Sequence, residues 1–199
     1  MKKLRVSDLH EKRTLILGEA GAGKTEFTTR LFRAFAEEYR EESAVLIDMA
    51  PPAMQRKGRK IGGHLDARQL PKNVYLLRPS TIAAPRLQGR TTAEVRSLAE
   101  ANREAIEPLF ERWLQNSVPI LLLNDLTMYL HAGNAERMLE VIGCARTFIG
   151  NAYYGDFLRD DRDSGVSAKE RHAVEILMRS MDYVIRLPFD SGMVDLGGA

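Results

Sequence analysis

Six short apolar runs constrain this chain more than anything else in it: residues 14–17, 44–48, 74–77, 119–123, 147–150 and 183–187. Most are continuously apolar and do not alternate with polar residues, which is the pattern of strands covered on both faces of a parallel sheet. Longer stretches with helical periodicity lie between them. Phe27, Leu31, Phe35 and Tyr39 recur every four residues and share one stripe. Thr91-x-x-Glu94 has the form of a capping box, and Val95, Leu98, Ala99, Asn102, Ile106, Leu109 and Trp113 follow near one face. Pro108 should kink or split that helix. Met138, Leu139, Ile142 and Ala145 mark another helix. Ser167-x-x-Glu170 reads as a second capping box, ahead of Val174, Leu177, Met178 and Met181. Strands alternating with helices through right-handed crossovers give an α/β fold, a three-layer αβα sandwich around a mostly parallel central sheet. The 199 residues suit one domain, 1–199. Two stretches, 50–73 and 79–90, are long for loops, and such segments are usually functional or disordered.

With 44% apolar and 28% charged residues and a net charge of +2, the composition is that of an ordinary globular protein and does not by itself argue for nucleic acid. No window approaches the roughly 18 uncharged apolar residues of a membrane span, and the N-terminus has no apolar stretch of signal-peptide length. The single cysteine, Cys144, allows no internal disulfide and reads as a buried thiol on a helix. The expectation is a cytoplasmic protein with no membrane partner.

The first apolar run stops at a glycine-rich segment that opens the first helix. Gly18-Glu19-Ala20-Gly21-Ala22-Gly23-Lys24-Thr25 fits G-x-x-x-x-G-K-[ST]. A nest of inward-pointing N–H groups needs unusual dihedrals and small side chains, hence Gly and Ala. The helix that follows turns its positive end towards an anion. Lys24 can reach terminal phosphates as a point charge, and the Thr25 hydroxyl can meet a magnesium ion bridging them. Gly18 through Thr25, with Glu26 in the first helical turn, form the expected binding segment.

This segment, with a strand before it and an amphipathic helix after it, resembles the Walker A motif of the P-loop NTPase superfamily, and the strand–helix order of the whole chain is similar to that superfamily. The resemblance implies Mg2+-dependent binding and hydrolysis of a nucleoside triphosphate. It also implies a carboxylate after a buried strand on the metal side of the site. Asn124-Asp125 looks like that Walker B position, which pairs Asp125 with Thr25 at the metal; the alternative is that Asp125 caps the next turn. The RecA-like, additional-strand division, favoured here, follows this acid with a water-activating glutamate, where this chain has Leu126. Shifting the register makes Asn124 the metal-side residue and Asp125 the base. Asp48, ending its own strand, resembles the strand-then-Asp segment of the MinD/ParA-type and signal-recognition-type NTPases, where that acid sits near the attacking water. Glu19 stands where MinD/ParA proteins carry a second lysine, so that subfamily is not supported. Asp48 is either a site residue or a turn cap. Asn151, placed at the end of its strand, is either a sensor of the terminal phosphate or a turn former. Asn151-Ala152-Tyr153-Tyr154 lacks the Lys and Asp of the guanine-reading pattern, which favours ATP over GTP.

The resemblance thus assigns Lys24, Asp48, Asp125 and Asn151 to catalysis, Thr25 and Asp125 to the metal, and ATP with Mg2+ as ligands. Hydrolysis would drive a conformational or assembly step. Two alternatives stay open: a phosphotransferase acting on a small acceptor, and a nucleotide-binding switch with little hydrolysis. Arg56, Lys57, Arg59 and Lys60 form a basic loop, either solvated or a patch for an anionic partner such as nucleic acid or the nucleotide of a second copy in a homo-oligomer. Arg86 and Arg90 are candidates for an arginine that stabilises transferring phosphate. Asp156, Asp160, Asp161 and Asp163 lack calcium-loop spacing, and the histidines lack zinc spacing. Leu126, Met128, Tyr129 and Leu130 either line a partner surface or continue the core.

Overall fold

The structure is a computed structural model and describes residues 3–56, 58–66, 68, 70–188 and 194–195. In chain order its elements are β1 (Leu4–Arg5), a 3-10 turn (Val6–Leu9), β2 (Arg13–Gly18), α1 (Lys24–Glu38), β3 (Ala44–Asp48), β4 (Met54–Arg56), β5 (Arg59–Ile61) and β6 (Val74–Leu77). Then come α2 (Pro85–Gln88), α3 (Thr92–Gln115), β7 (Ile120–Asn124), α4 (Thr127–Leu130), α5 (Ala135–Gly143), β8 (Thr147–Tyr153), α6 (Val166–Met178), β9 (Tyr183–Leu187) and β10 (Val194–Asp195).

Six strands form the central sheet in the order β6-β3-β7-β8-β2-β9, and every adjacent pair is parallel. Side chains alternate across it, and the two faces feed two cores. Leu15, Leu17, Ile47, Leu121, Leu123 and Phe148 pack with residues of α3, α4, α5 and α6. Ile16, Leu46, Leu122, Ile149 and Ile185 pack against Phe27, Leu31, Phe32 and Phe35 of α1. That is the three-layer αβα sandwich. The α1 stripe explains its helix: truncating a buried Phe such as Phe35 costs about 3–5 kcal/mol. Tyr39 ends the stripe, stacked on His10 at 4.1 Å between ring centroids. Trp113 is buried where α3 meets α5, and its indole N–H donates to Val141 O (2.9 Å).

Several local expectations are corrected. β8 runs through Asn151 to Tyr153, because Ile16, Leu17 and Gly18 of β2 pair with Asn151, Ala152 and Tyr153; Asn151 is inside the strand, not at its end. Pro108 does not split α3, which is assigned as one helix from Thr92 to Gln115. Thr91 does cap α3, accepting Glu94 N–H (3.2 Å), while Glu94 takes the N–H of Arg90 (2.7 Å). Ser167-x-x-Glu170 is not a capping box: α6 starts two residues earlier than a Ser167 cap would give, behind Gly165, whose φ of 79° suits glycine. Cys144 is exposed, lying just past the end of α5 and not within it. Leu126, Met128, Tyr129 and Leu130 are buried and continue the core.

The long segment 50–73 contains the β4–β5 hairpin, and the segment 79–90 contains α2. Asn102 of α3 holds the second segment, accepting Ala83 N–H (2.8 Å) and donating to Ala83 O (2.9 Å). In the basic loop, Arg56 donates to Arg86 O (3.2 Å). Lys57 and the side chains of Arg59 and Lys60 lie outside the described residues. No helix among the described residues is long and apolar enough to cross a membrane.

Candidate nucleotide-binding site

All six strands point the same way, so their carboxyl ends share one edge, where open parallel sheets bind ligands. A cleft of about 430 Å³ lies there, within the range of small-molecule sites. Gly21, Gly23, Lys24 and Thr25 line one side; Arg86, Asp125, Thr127 and His131 line others.

The cradle itself follows from backbone chemistry. Ala22 N–H closes a turn on Glu19 O (3.1 Å). Gly21 and Gly23 are left-handed, with φ of 77° and 78°. At Gly23 a Cβ would meet nothing within 4 Å, so it is the dihedral that requires glycine there. At Gly18 space is the constraint: a Cβ would come 3.2 Å from both Leu187 O and Lys24 Cγ. The first amides of α1 have no partners of their own within a helix and open towards the cleft with its positive end. Lys24 Nζ donates to Gly18 O (2.8 Å) and Glu19 O (2.9 Å), so its charge is parked on the rim of the cradle. Burial pulls the Lys24 ammonium below its ordinary value, against the opposing charges of Asp125, Glu19 and Glu170.

Glu19 directs its carboxylate to backbone amides and does not line the cleft. Its carboxylate accepts the N–H groups of Ala20 (2.7 Å), Asp156 (2.7 Å) and Phe157 (3.1 Å), and so fastens the cradle to the loop after β8. A Cβ on Gly155 would fall 2.2 Å from Glu19 Oε2, so only glycine admits this approach. Burial pushes the Glu19 carboxyl up, but the three amides outweigh it and hold it below its ordinary value.

The other expected residues divide into two groups. Asp125 stands just past β7 with a left-handed φ of 59° and accepts the Thr127 hydroxyl at Oδ1 (2.6 Å). Burial raises its carboxyl above the ordinary value, opposed by the Thr127 hydrogen bond and the Lys24 charge. Asp48 is set back from the cleft and completely buried. Its Oδ2 takes Leu65 N (3.1 Å) and Arg78 Nη2 (2.6 Å), and its Oδ1 takes Asn124 Nδ2 (2.7 Å) and Ala50 N (3.3 Å). Asn124 Oδ1 in turn accepts Asn151 Nδ2 (2.8 Å), and Asn151 Oδ1 accepts Asp125 N (3.0 Å). A polar chain under the cleft thus ties β3, β7 and β8 to the backbone of Asp125. Asp48 and Asn151 are connected to the site through this chain, and Asn151 also lines the cleft.

No local sequence pattern marks Glu170, His131 and Tyr153 as site residues, yet all three stand at or beside the cleft. Glu170 is buried and pairs with Arg86, Nη1 to Oε2 at 2.5 Å and Nη2 to Oε1 at 3.2 Å. The Arg86 guanidinium lies 5.0 Å from the Tyr153 ring centroid, and Lys24 Nζ lies 5.5 Å from the same ring. Arg90 is exposed, and neither it nor the acids Asp156, Asp160, Asp161 and Asp163 line the cleft.

The donor set fits a polyphosphate with magnesium. The metal in such sites keeps waters and phosphate oxygens and needs only one or two protein oxygens, which Thr25 and Asp125 offer on the cleft wall. Among the described residues no group of three or more His, Cys, Asp or Glu forms an all-protein metal cage.

No protein-family model matches the chain. No curated protein matches it either. Among solved structures it is similar to the crystal structure of the flagellar accessory protein FlaH from Methanocaldococcus jannaschii, at 11% identity and a TM-score of 0.50, over 89% of this chain and 71% of that one. At that identity the likeness is one of fold alone. The match agrees with the α/β fold described above, a six-stranded parallel sheet between two helical layers.

Proposed function

We propose that the chain binds ATP with Mg2+ in the cleft and hydrolyses it by attack of water on the γ-phosphate, so driving a conformational or assembly step. One observation carries this reading: the glycine cradle, Lys24, Thr25 and Asp125 converge on one cleft at the carboxyl edge of a parallel sheet. Lys24 leaves the carbonyls of Gly18 and Glu19 for the terminal phosphates. The amides of residues 21–25 meet the phosphate oxygens, in a site where such dipoles need no reorganisation. Thr25 and Asp125 hold the metal. Bound Mg2+ neutralises developing charge on the phosphate oxygens. Asn151 and Asn124 fix the backbone of Asp125. The reading favours ATP over GTP because Asn151-Ala152-Tyr153-Tyr154 lacks guanine-reading residues.

A second reading, a nucleotide-binding switch with little hydrolysis, has a specific support. Asp48 has its oxygens occupied, Leu126 stands where a base would follow Asp125, and Glu170 is paired with Arg86. Titration calorimetry with ATP and Mg2+, run beside a phosphate-release assay, separates the readings. Lys24→Ala should weaken ATP binding by roughly 10- to 100-fold, the loss of charged hydrogen bonds, and abolish release. A folded wild-type chain that gives no heat with any nucleoside triphosphate refutes both readings. Tight binding without catalytic release leaves the switch.

A further inference from the structure

His131 is a buried group beside the cleft that nothing so far employs. It is 2% exposed, lines the cleft, and has no hydrogen-bond partner at either ring nitrogen among the described residues. Such orphaned polar groups in a packed interior call for an explanation. Its nearest counterpart is Glu170: His131 Nε2 lies 3.6 Å from Glu170 Oε1, too long for a hydrogen bond and short enough to become one with a small shift. Glu170 Oε1 is meanwhile held by Arg86 Nη2 (3.2 Å).

Three features make Arg86 the mobile member of this trio. It lines the cleft, whereas Glu170 sits behind it on α6. It comes from a short helix within a loop, held through its backbone by Asn102 at Ala83 and by Arg56 at Arg86 O, contacts that leave the Arg86 side chain free to swing. Its guanidinium covers the same tyrosine ring as the cradle lysine, which sets it beside the place where terminal phosphates would lie. What opposes its departure is the carboxylate it would strand, since a buried charge stripped of its partner is strongly destabilising.

We infer that Arg86, Glu170 and His131 form a partner-exchange latch: as the terminal phosphoryl group of bound triphosphate is transferred to water, Arg86 moves from Glu170 to that group and His131 closes its 3.6 Å gap to take its place on Glu170. This rests on the nucleotide reading above and adds a cationic contact to it from within the same chain. The exchange needs no proton to be gained or lost, because a neutral imidazole carries one N–H that can donate to the carboxylate. The vacant hydrogen-bonding capacity of His131 is then a reserve that the transfer step fills. The exchange keeps Glu170 hydrogen-bonded throughout, and the interaction of Arg86 with the phosphoryl group must offset the counter-charge that Glu170 loses.

The test compares full-length wild type with Arg86→Gln, His131→Ala and His131→Ala/Glu170→Gln, each checked by thermal melt. Affinities are measured for ATP with Mg2+ and for ADP with aluminium fluoride, which mimics the transferring phosphoryl group. Arg86→Gln should lose the aluminium-fluoride complex and lower any turnover on the order of 10³-fold, with ATP affinity changed less than about threefold. His131→Ala should weaken the aluminium-fluoride complex about tenfold, one unfilled buried hydrogen bond to a charge. Adding Glu170→Gln should restore it, because no charge is then stranded. Wild-type aluminium-fluoride affinity in Arg86→Gln overturns the latch. So does a double variant no better than His131→Ala alone, or equal loss of ATP and aluminium-fluoride binding in folded Arg86→Gln. Failure of wild type to bind ATP at all instead sinks the nucleotide reading and the latch with it.

Discussion

Asp48 closes its strand directly after an apolar run, Asp125 follows Asn124 just past the neighbouring strand, and the sheet treats the two acids in opposite ways. β3 and β7 pair so that Asp48 lies opposite Asn124, one residue short of Asp125. That single residue decides their fates. Asp48 keeps strand geometry and is enclosed by Arg78, Asn124 and the amides of Ala50 and Leu65. Asp125 turns left-handed at the strand end, looks into the cleft, and has the Thr127 hydroxyl on one oxygen. A carboxylate already saturated with donors is structural, and one kept short of donors beside a lysine is available to a ligand. Counting donors separates the two where the sequence pattern does not.

The comparison breaks if the two residues respond alike to mutation. Asp48→Ala should destabilise the fold by about 3 kcal/mol, the low end for breaking a buried pair because Arg78 keeps partial contact with water; a denaturant midpoint measures it. A loss below about 1 kcal/mol would show that the donors around Asp48 do not depend on it. Asp125→Asn preserves the acceptor for Thr127 and should lower phosphate release by about 100-fold or more, as the loss of a metal-side charge does, with unchanged folding. The sign of its stability effect follows from its raised carboxyl. The folded state favours the protonated acid, so its contribution is present at low pH and is lost as pH rises through the folded value. At neutral pH Asp125→Asn should therefore be neutral or stabilising, where Asp48→Ala is costly.

Glu19 sharpens the contrast as a third carboxylate with a smaller effect. Glu19→Gln should cost about 1 kcal/mol at pH 7, modest because the group is half solvated. Its folded carboxyl is lowered from an ordinary value of 4.5, so its contribution is present above that value and disappears as pH falls through the folded one. Melts of wild type and variant should converge on acidification; a constant gap from pH 7 to pH 3 would show that the amide staple does not depend on the charge.

The central strands were legible because continuous apolar runs can mean little else in a chain of this periodicity. β3, β6 and β9 have the bounds that the sequence pattern predicts, 44–48, 74–77 and 183–187. The cradle was legible from its glycines. What the sequence hid were contacts between distant segments. Asp48 meets Arg78 30 residues on, and Arg86 meets Glu170 84 residues on. No local pattern records such pairings. Glu170 did leave one trace. With Val166, Val174 and Leu177 it falls on the buried stripe of α6, and a charged residue on an apolar stripe implies a partner. Its spacing from Ser167 imitated a helix cap and concealed this. The hairpin in the segment 50–73 was missed because its strands of three residues are too short to set up a period.

The single tryptophan has a practical consequence. Trp113 sits near the end of α3, which leads into the amino edge of the sheet, while the cleft opens at the other edge. Its fluorescence is a gauge of whether the interior is intact and is blind to what the mouth of the molecule holds. Emission from Trp113 can follow denaturation in the presence of a ligand that does not absorb at its wavelengths, while a label placed near Tyr153 follows occupancy in a separate sample.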